Sequence, residues 1–282
     1  MLTPEHRATQ RDIIAELFVS NDFDARQDVE RRVGFLADYL VATGSRALVL
    51  GISGGVDSLV GGCLAQRAAE EVRKRGHTAS FVAMRLPYGE QRDEPDAQAS
   101  LEVIKPDQVL TVNIKPASDA MLAALLSAEV PFRDERHQDF LLGNIKARQR
   151  MIAQYAVAGA YGGLVVGTDQ AAEALMGFFT KFGDGAADLT PLTGLSKRRV
   201  RALAHEMGAP DSLVYKVPTA DLESLTPLKP DEDAFGVTYG EIDDFLEGKE
   251  VSEQAYETIV RTYRNSGHKR ALPVFPQGWT PS

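Results

Sequence analysis

Val49-Leu50-Gly51-Ile52-Ser53-Gly54-Gly55-Val56-Asp57-Ser58 is the stretch that decides the fold of this chain. The apolar run Ala47 to Ile52 passes through a small polar turn directly into the largely apolar stretch Leu59 to Ala69. A short buried strand, a glycine turn and a helix are the opening of a parallel α/β unit. Gly54 and Gly55 let backbone amides approach an anion closely, and Ser53 and Ser58 add hydroxyl donors. The helix that follows aims the positive end of its dipole at the same point. The turn reads as a phosphate cradle, against the plainer alternative of glycines placed only for a tight connection. Asp57 favours the cradle, because an acid inside an anion site needs a mediating cation, and Mg²⁺ bridging phosphate oxygens is the obvious one.

Other nucleotide and hydrolase motifs are weighed against these residues. Gly51-Ile52-Ser53-Gly54-Gly55 formally fits the G-x-S-x-G nucleophile elbow of α/β-hydrolases. Such an enzyme needs strands and an oxyanion loop upstream, and only two helical stretches precede the turn. A G-x-x-x-x-G-K-[ST] loop and a G-x-G-x-x-G fingerprint are both absent from the sequence.

Outward from the turn, strand and helix patterns alternate. Thr78 to Arg85 precedes Glu94 to Ile104, Gln108 to Val112 precedes Ser118 to Ala128, and a long helix from Phe140 to Tyr161 leads through Gly162-Gly163 into Leu164 to Val166. The expected fold is α/β, a Rossmann-like parallel sheet with helices on both faces. We expect one domain over 1–282, with a helical N-terminal extension (about 1–45) and a helical C-terminal tail (about 237–282). In the extension, Thr3-Pro4 starts a helix with the stripe Ile13, Ile14, Leu17, Phe18, and a second carries Val29, Val33, Leu36, Leu40. These stripes exceed what two terminal helices need against one sheet, which predicts burial at a symmetric subunit interface. Ser196 caps a later helix that Gly208 and Pro210 stop. Lys216 to Asp233, rich in proline and acid, reads as a long loop with the character of a lid. Helices at Thr238 to Leu246 and Ser252 to Tyr263 and a basic tail, 264–270, follow.

The chain has 282 residues, 44% hydrophobic and 25% charged, with a net charge of −9, an ordinary globular composition. That charge opposes a nucleic-acid partner, which needs a basic face. One cysteine, Cys63, excludes an internal disulfide and a Cys-x-x-Cys metal site, and its place in the first apolar helix makes it core. Without a signal-peptide pattern or an apolar run of membrane length, the expected location is cytoplasmic, with no membrane partner.

Ser-Gly-Gly-x-Asp-Ser after the first strand resembles the pyrophosphate loop of the ATP pyrophosphatases (PP-loop family, adenine nucleotide alpha-hydrolase-like fold), which cleave ATP between its α and β phosphates. Nearly the whole chain resembles the ammonia-dependent NAD synthetases of that group. The resemblance rests on RLPYGEQRDEPDA (85–97), GNIKARQRM (143–151), GTDQAAE (167–173), GFFTKFGDGAADLTPL (177–192), PTADL (218–222) and HKR (268–270). It implies ATP-dependent amidation of nicotinic acid adenine dinucleotide (deamido-NAD) by free ammonia, giving NAD, AMP and pyrophosphate through an adenylated intermediate, in a homodimer. Another adenylating amidase, or a non-catalytic adenine nucleotide sensor, is the alternative.

The resemblance also assigns residues. Gly51, Ile52, Ser53, Gly54, Gly55, Val56, Asp57, Ser58, Thr168, Lys197 and Thr219 would bind ATP, and Asp57 with Glu173 would hold Mg²⁺. Arg148, Lys181, Asp188, His268 and Lys269 would bind deamido-NAD, and Asp184 would hold and deprotonate ammonium beside a catalytic Lys197. Several of these positions have readings of their own. Arg148 shares a helical stripe with Leu141, Ile145, Ile152 and Tyr155, with Arg150 projecting elsewhere; a guanidinium there needs a partner, either a core carboxylate or a ligand. Glu173 is an acid one turn into a helix, which the dipole favours without a metal. Lys197 is a cation at the unfavourable end of a helix, which an anion would repair. His268 and Lys269 can equally be a solvated basic tail. Gln170, Met176 and Val56 depart from the family's usual residues, and none removes a charged ligand.

Overall fold

The computed structural model describes residues 2–89, 94–219, 225, 230–273 and 276. Four strands, β1 (Ala47–Gly51), β2 (Ser80–Arg85), β3 (Gln108–Thr111) and β4 (Leu164–Val165), form a wholly parallel sheet in the order β3-β2-β1-β4. Their side chains alternate between two cores, as a strand covered on both faces must. Leu48 and Leu50 of β1 with Phe81 and Ala83 of β2 enter one cluster, and Val49 with Val82 and Met84 enter the other. The first cluster is built by α2 (Ala25–Thr43), α3 (Val56–Lys74) and α8 (Lys197–Glu206), and the second face is covered by α6 (Glu135–Tyr161). Chain order reverses between β1 and β4, so the crevice beyond their carboxyl ends is a topological switch point, where open α/β sheets bind ligands.

Helix ends follow local chemistry. Asp134 accepts the His137 amide, so α6 begins at Glu135, five residues before the apolar pattern suggests. Gly162, at φ +60°, ends it. Thr238 and Glu241 form a reciprocal capping box on α11 (Tyr239–Leu246).

The terminal helices do not spend their stripes on a partner. Ile13 of α1 (Pro4–Glu16) and its C-cap Leu17 are buried in a third cluster with α11 and α12 (Glu253–Asn265), joined by the short α7 (Ala171–Met176). Val29, Leu36 and Leu40 of α2 are buried against α3 and α8, while Ile14 and Val33 are partly covered. Phe18 is exposed and has left the helix, with φ +58°. The interface expected at these stripes is therefore corrected, because the chain buries them itself. Among the described residues, exposed large apolar side chains gather instead on α5 (Lys115–Ser127) and the outer side of α6, including Met121, Leu126, Ile152 and Tyr155. The expected long loop is pinned by an antiparallel bridge between Thr219 and Pro230, after which α10 (Asp231–Phe235) begins. Residues 220–224 and 226–229 of that loop, and 90–93 of the 89–96 loop, lie outside the described residues. Among the described residues no helix is long and apolar enough to cross a membrane.

Candidate active site

A cavity of about 430 Å³ opens beyond the carboxyl ends of β1, β2 and β4. One wall is the turn after β1. Gly54 takes φ +89°, and a Cβ there would stand 2.8 Å from the Ala97 amide nitrogen, so both conformation and space demand glycine. The Ser58 hydroxyl donates to the Gly55 carbonyl at 3.0 Å and accepts the Ser53 amide at 3.2 Å. The Ser53 hydroxyl lies 3.1 Å from that of Ser58. Gly55 is the N-cap of α3 and no side chain caps it, so the first-turn amides face the cavity as an anion site.

Asp57, in that first turn, accepts the Lys197 ammonium on Oδ2 at 2.6 Å. Its Oδ1 is buried without a hydrogen-bond partner. Glu173 enters from the first turn of α7, where Gln170 caps the helix by accepting the Ala172 amide at 2.7 Å. Burial, and then the charge of Asp57, push the Glu173 carboxyl well up from its ordinary value, with Lys197 opposing. Among the described residues no three acidic, histidine or cysteine side chains converge to hold a metal unaided. Two carboxylates, one with an unsatisfied oxygen, beside a phosphate cradle are nonetheless the donor set Mg²⁺ uses, since that ion takes its remaining ligands from phosphate and water.

Lys197 is 2% exposed. Burial works against its charge, yet the fields of Asp57 and Glu173 outweigh it and the ammonium titrates higher than an ordinary lysine. The Tyr239 ring lies under that ammonium at 5.1 Å, and the Tyr239 hydroxyl donates to Asp231 at 3.0 Å. The start of this helix also meets an anion of the chain itself, Asp243, whose carboxylate accepts the Lys197 and Arg198 amides, each at 2.8 Å. Burial raises Asp243 to about 6.

A second polar group lies across the cavity. Asp184 opens onto it and accepts the Thr180 amide at 3.0 Å; loss of solvation on burial still raises its carboxyl. Asp169, behind it, is raised to about 7 by burial, then by Asp184 and Asp57. Lys269 donates to the carbonyls of Gly177 at 2.9 Å and Phe179 at 3.0 Å; burial lowers its pKa and Asp184 opposes. The basic tail is thus docked on the cavity wall, with α13 (Gly267–Arg270) tied to α7 by Arg270 donating to Ala174 at 2.9 Å.

Of the residues expected in the site, Gly51, Ile52, Ser53, Gly55, Val56, Asp57, Ser58, Thr168, Glu173, Asp184, Lys197, Thr219 and Lys269 line this cavity, and Gly54 shapes the turn behind them. Arg148, Lys181, Asp188 and His268 do not line it. Arg148 is exposed and donates to the Lys181 carbonyl at 3.2 Å, and the Lys181 ammonium donates to the His268 carbonyl at 2.6 Å, which groups the three at the outer rim. Asp188 accepts the Val165 amide at 2.7 Å and faces Tyr155. The buried face of α6 carries Leu142, Gly143, Lys146 and Ala147, continued along the cavity by Arg150 and Gln154. Arg150 is therefore the inward arginine, its Nε donating to the Leu86 carbonyl at 3.1 Å, and the reading that placed Arg148 inward is reversed. Lys216 and Asp231 also line the cavity without a motif to announce them, and Arg85 and Asn144 line it from within the stretches 85–97 and 143–151, where no role was assigned to them. Cys63 is buried in the core, where burial pushes its thiol up to about 11, far from a nucleophile. Met176 and Val56 are buried apolar side chains.

A glycine cradle at the switch point of a parallel sheet, with a buried lysine–aspartate pair beside it, defines a nucleotide-cleaving α/β protein of the PP-loop kind. The NAD synthase family model matches residues 28–273, and the chain belongs to that family. It is 67% identical to an NH(3)-dependent NAD(+) synthetase of Streptomyces coelicolor over 98% of this chain and 100% of that one. To an enzyme of the same description from Burkholderia mallei it is 60% identical over 99% and 98%. Among solved structures, an NAD+ synthetase from Burkholderia pseudomallei superposes with TM-score 0.84 at 59% identity, covering 97% of this chain and 100% of that one. An NMN synthetase from Francisella tularensis superposes with TM-score 0.78 at 37% identity, covering 90% and 99%.

Proposed function

We propose that the chain catalyses ATP-dependent amidation of deamido-NAD by ammonia. The observation that carries this reading is the Asp57–Lys197 pair at the mouth of the glycine cradle, with Glu173 beside it. An oxygen of the nicotinate carboxylate attacks the α-phosphorus of ATP, the bond to the α–β bridging oxygen breaks, and pyrophosphate leaves into the Ser53 to Ser58 turn. Ammonia then attacks the acyl carbon, and AMP departs with the carboxylate oxygen. Lys197, kept charged, stabilises the negative charge that grows on the phosphate oxygens. Thr168 and Thr219, both on the lining of the cavity, hold ATP. Asp184 holds ammonium and takes its proton, a role that its raised carboxyl suits.

Asp57 and Glu173 would hold Mg²⁺, which supplies charge neutralisation to the phosphates when bound. The rim group Arg148, Lys181 and His268, with Lys269 inside, would receive deamido-NAD, and Asp188 would reach it only from outside the cavity. We infer that the exposed stripe of α6, on which Ile152 and Tyr155 follow Arg148 by one and two turns, meets a second copy of the chain. The acceptor then lies where two subunits join, and the whole of 1–282 works as one catalytic unit.

The test offers deamido-NAD, nicotinic acid mononucleotide and nicotinate in turn with ATP, Mg²⁺ and ammonium, and measures AMP and pyrophosphate. Release confined to deamido-NAD, one AMP per NAD, supports the reading. A higher kcat/KM with the mononucleotide, or ADP and orthophosphate as products, would overturn it.

A further inference from the structure

The segment after α9 (Asp211–Val214) brings a second lysine to the cradle. Lys216 lines the same cavity, with its side chain 22% exposed. Its ammonium donates to the Gly54 carbonyl at 3.4 Å and to Asp96 at 2.7 Å. Asp96 sits in the first turn of α4 (Glu94–Ile104), packed against Gly54 so closely that its Cβ would lie 3.2 Å from a Cβ added there. The phosphate turn is thus bracketed by two lysines, Lys197 on Asp57 and Lys216 on Asp96. The pairs differ in kind. Lys197 is buried and its anion is 15% exposed, whereas Asp96 is 42% exposed. An ion pair open to solvent is weak and readily exchanged.

We propose that Lys216 is a ligand of the departing pyrophosphate, and that Asp96 competes with the pyrophosphate oxygens for its ammonium. This rests on the cradle reading and deepens it. Bond cleavage between the α and β phosphates accumulates charge on the leaving group, and the ammonium at the lip of the turn is placed to meet that charge. Asp96 keeps the lysine in register over Gly54 until a stronger anion takes it. A lysine that only latched its segment to α4 would need Asp96; a pyrophosphate ligand is released by losing it.

The two possibilities give opposite signs. Inhibition of NAD formation by added magnesium pyrophosphate is measured for wild type, Lys216→Met, Lys216→Arg and Asp96→Asn. We expect Lys216→Met to raise the pyrophosphate inhibition constant about ten- to hundredfold, the range for one lost charge-assisted hydrogen bond, and to lower kcat while leaving KM for deamido-NAD unchanged. Lys216→Arg should recover most of the binding, and Asp96→Asn should lower the constant. If Lys216→Met and Asp96→Asn both weaken pyrophosphate, or Lys216→Met leaves the constant unchanged, Lys216 is a latch and the proposal fails. If wild type is not inhibited by pyrophosphate and does not release it, the cradle reading itself fails.

Discussion

Replacing Lys197 by methionine keeps most of the unbranched side chain and removes the charge that balances Asp57 at 2.6 Å. Asp57 and Glu173 then face each other across a buried site, with the partner that opposed the rise of Glu173 gone. Breaking a buried pair from one side costs about 3–5 kcal/mol. At about 2 °C or somewhat more per kcal/mol for a chain of this size, the melting temperature falls by about 6–12 °C. The loss depends on pH with a definite sign. A carboxyl whose folded pKa is raised holds extra protons in the native state, so its stability is greatest in acid and is lost as pH rises. The gap between variant and wild type should accordingly be wider at an alkaline pH than at an acid one. Mg²⁺ should raise the melting temperature of the variant more than that of wild type, since it replaces the missing charge. Turnover should fall about 10²- to 10³-fold, the scale for one lost charge partner in the transition state. Differential scanning calorimetry at both pH values, with and without Mg²⁺, and a steady-state AMP assay read all of this. A variant melting within a degree or two of wild type at alkaline pH, with most of its turnover, would refute the balance of charges described here.

Four further outcomes are expected. Asp57→Asn and Glu173→Gln should each lower turnover at least about 10²-fold and weaken Mg²⁺ binding in calorimetry, and unchanged metal affinity would leave either residue a dipole-favoured acid only. Asp169, held at about 7, should make wild type lose stability from about pH 4 to pH 7 relative to Asp169→Asn; parallel stability curves would contradict its burial as a titrating acid. Ammonium salts should support NAD formation and ammonia-free glutamine should not, and equal rates would point to a missing partner. Sedimentation should give a dimer that Ile152→Glu dissociates, and Arg148→Ala should raise KM for deamido-NAD without changing ATP affinity; a competent monomer would remove the subunit contact from the account.

The stretch from β1 into α3 was legible because strand burial on both faces leaves an unbroken apolar run and because a glycine turn before a helix has few uses. The faces of α6 were not. Leu141, Ile145, Ile152 and Tyr155 make the apolar stripe, yet Ile152 and Tyr155 are exposed. The inward face mixes Gly143, Lys146, Ala147, Arg150 and Gln154, because part of it lines a cavity built for a polar ligand. Hydrophobic periodicity selects the wrong side of a helix under those conditions. Asp243 and Lys216 were invisible for another reason, that their partners are remote in the chain. Asp243 lies 46 residues from Lys197, and Lys197 is 140 residues from Asp57. The terminal stripes misled because a third cluster of C-terminal helices, which local pattern does not predict, absorbs α1.

Transfer of oxygen from the acceptor to the nucleotide tests the central claim most directly. Deamido-NAD carrying ¹⁸O at both oxygens of its nicotinate carboxylate is turned over with ATP and ammonium, and the AMP is weighed by mass spectrometry. Attack of the carboxylate on the α-phosphorus predicts one ¹⁸O in the phosphate of each AMP formed, with pyrophosphate unlabelled. Unlabelled AMP, or label found in pyrophosphate, would contradict an adenylated acceptor formed in this site.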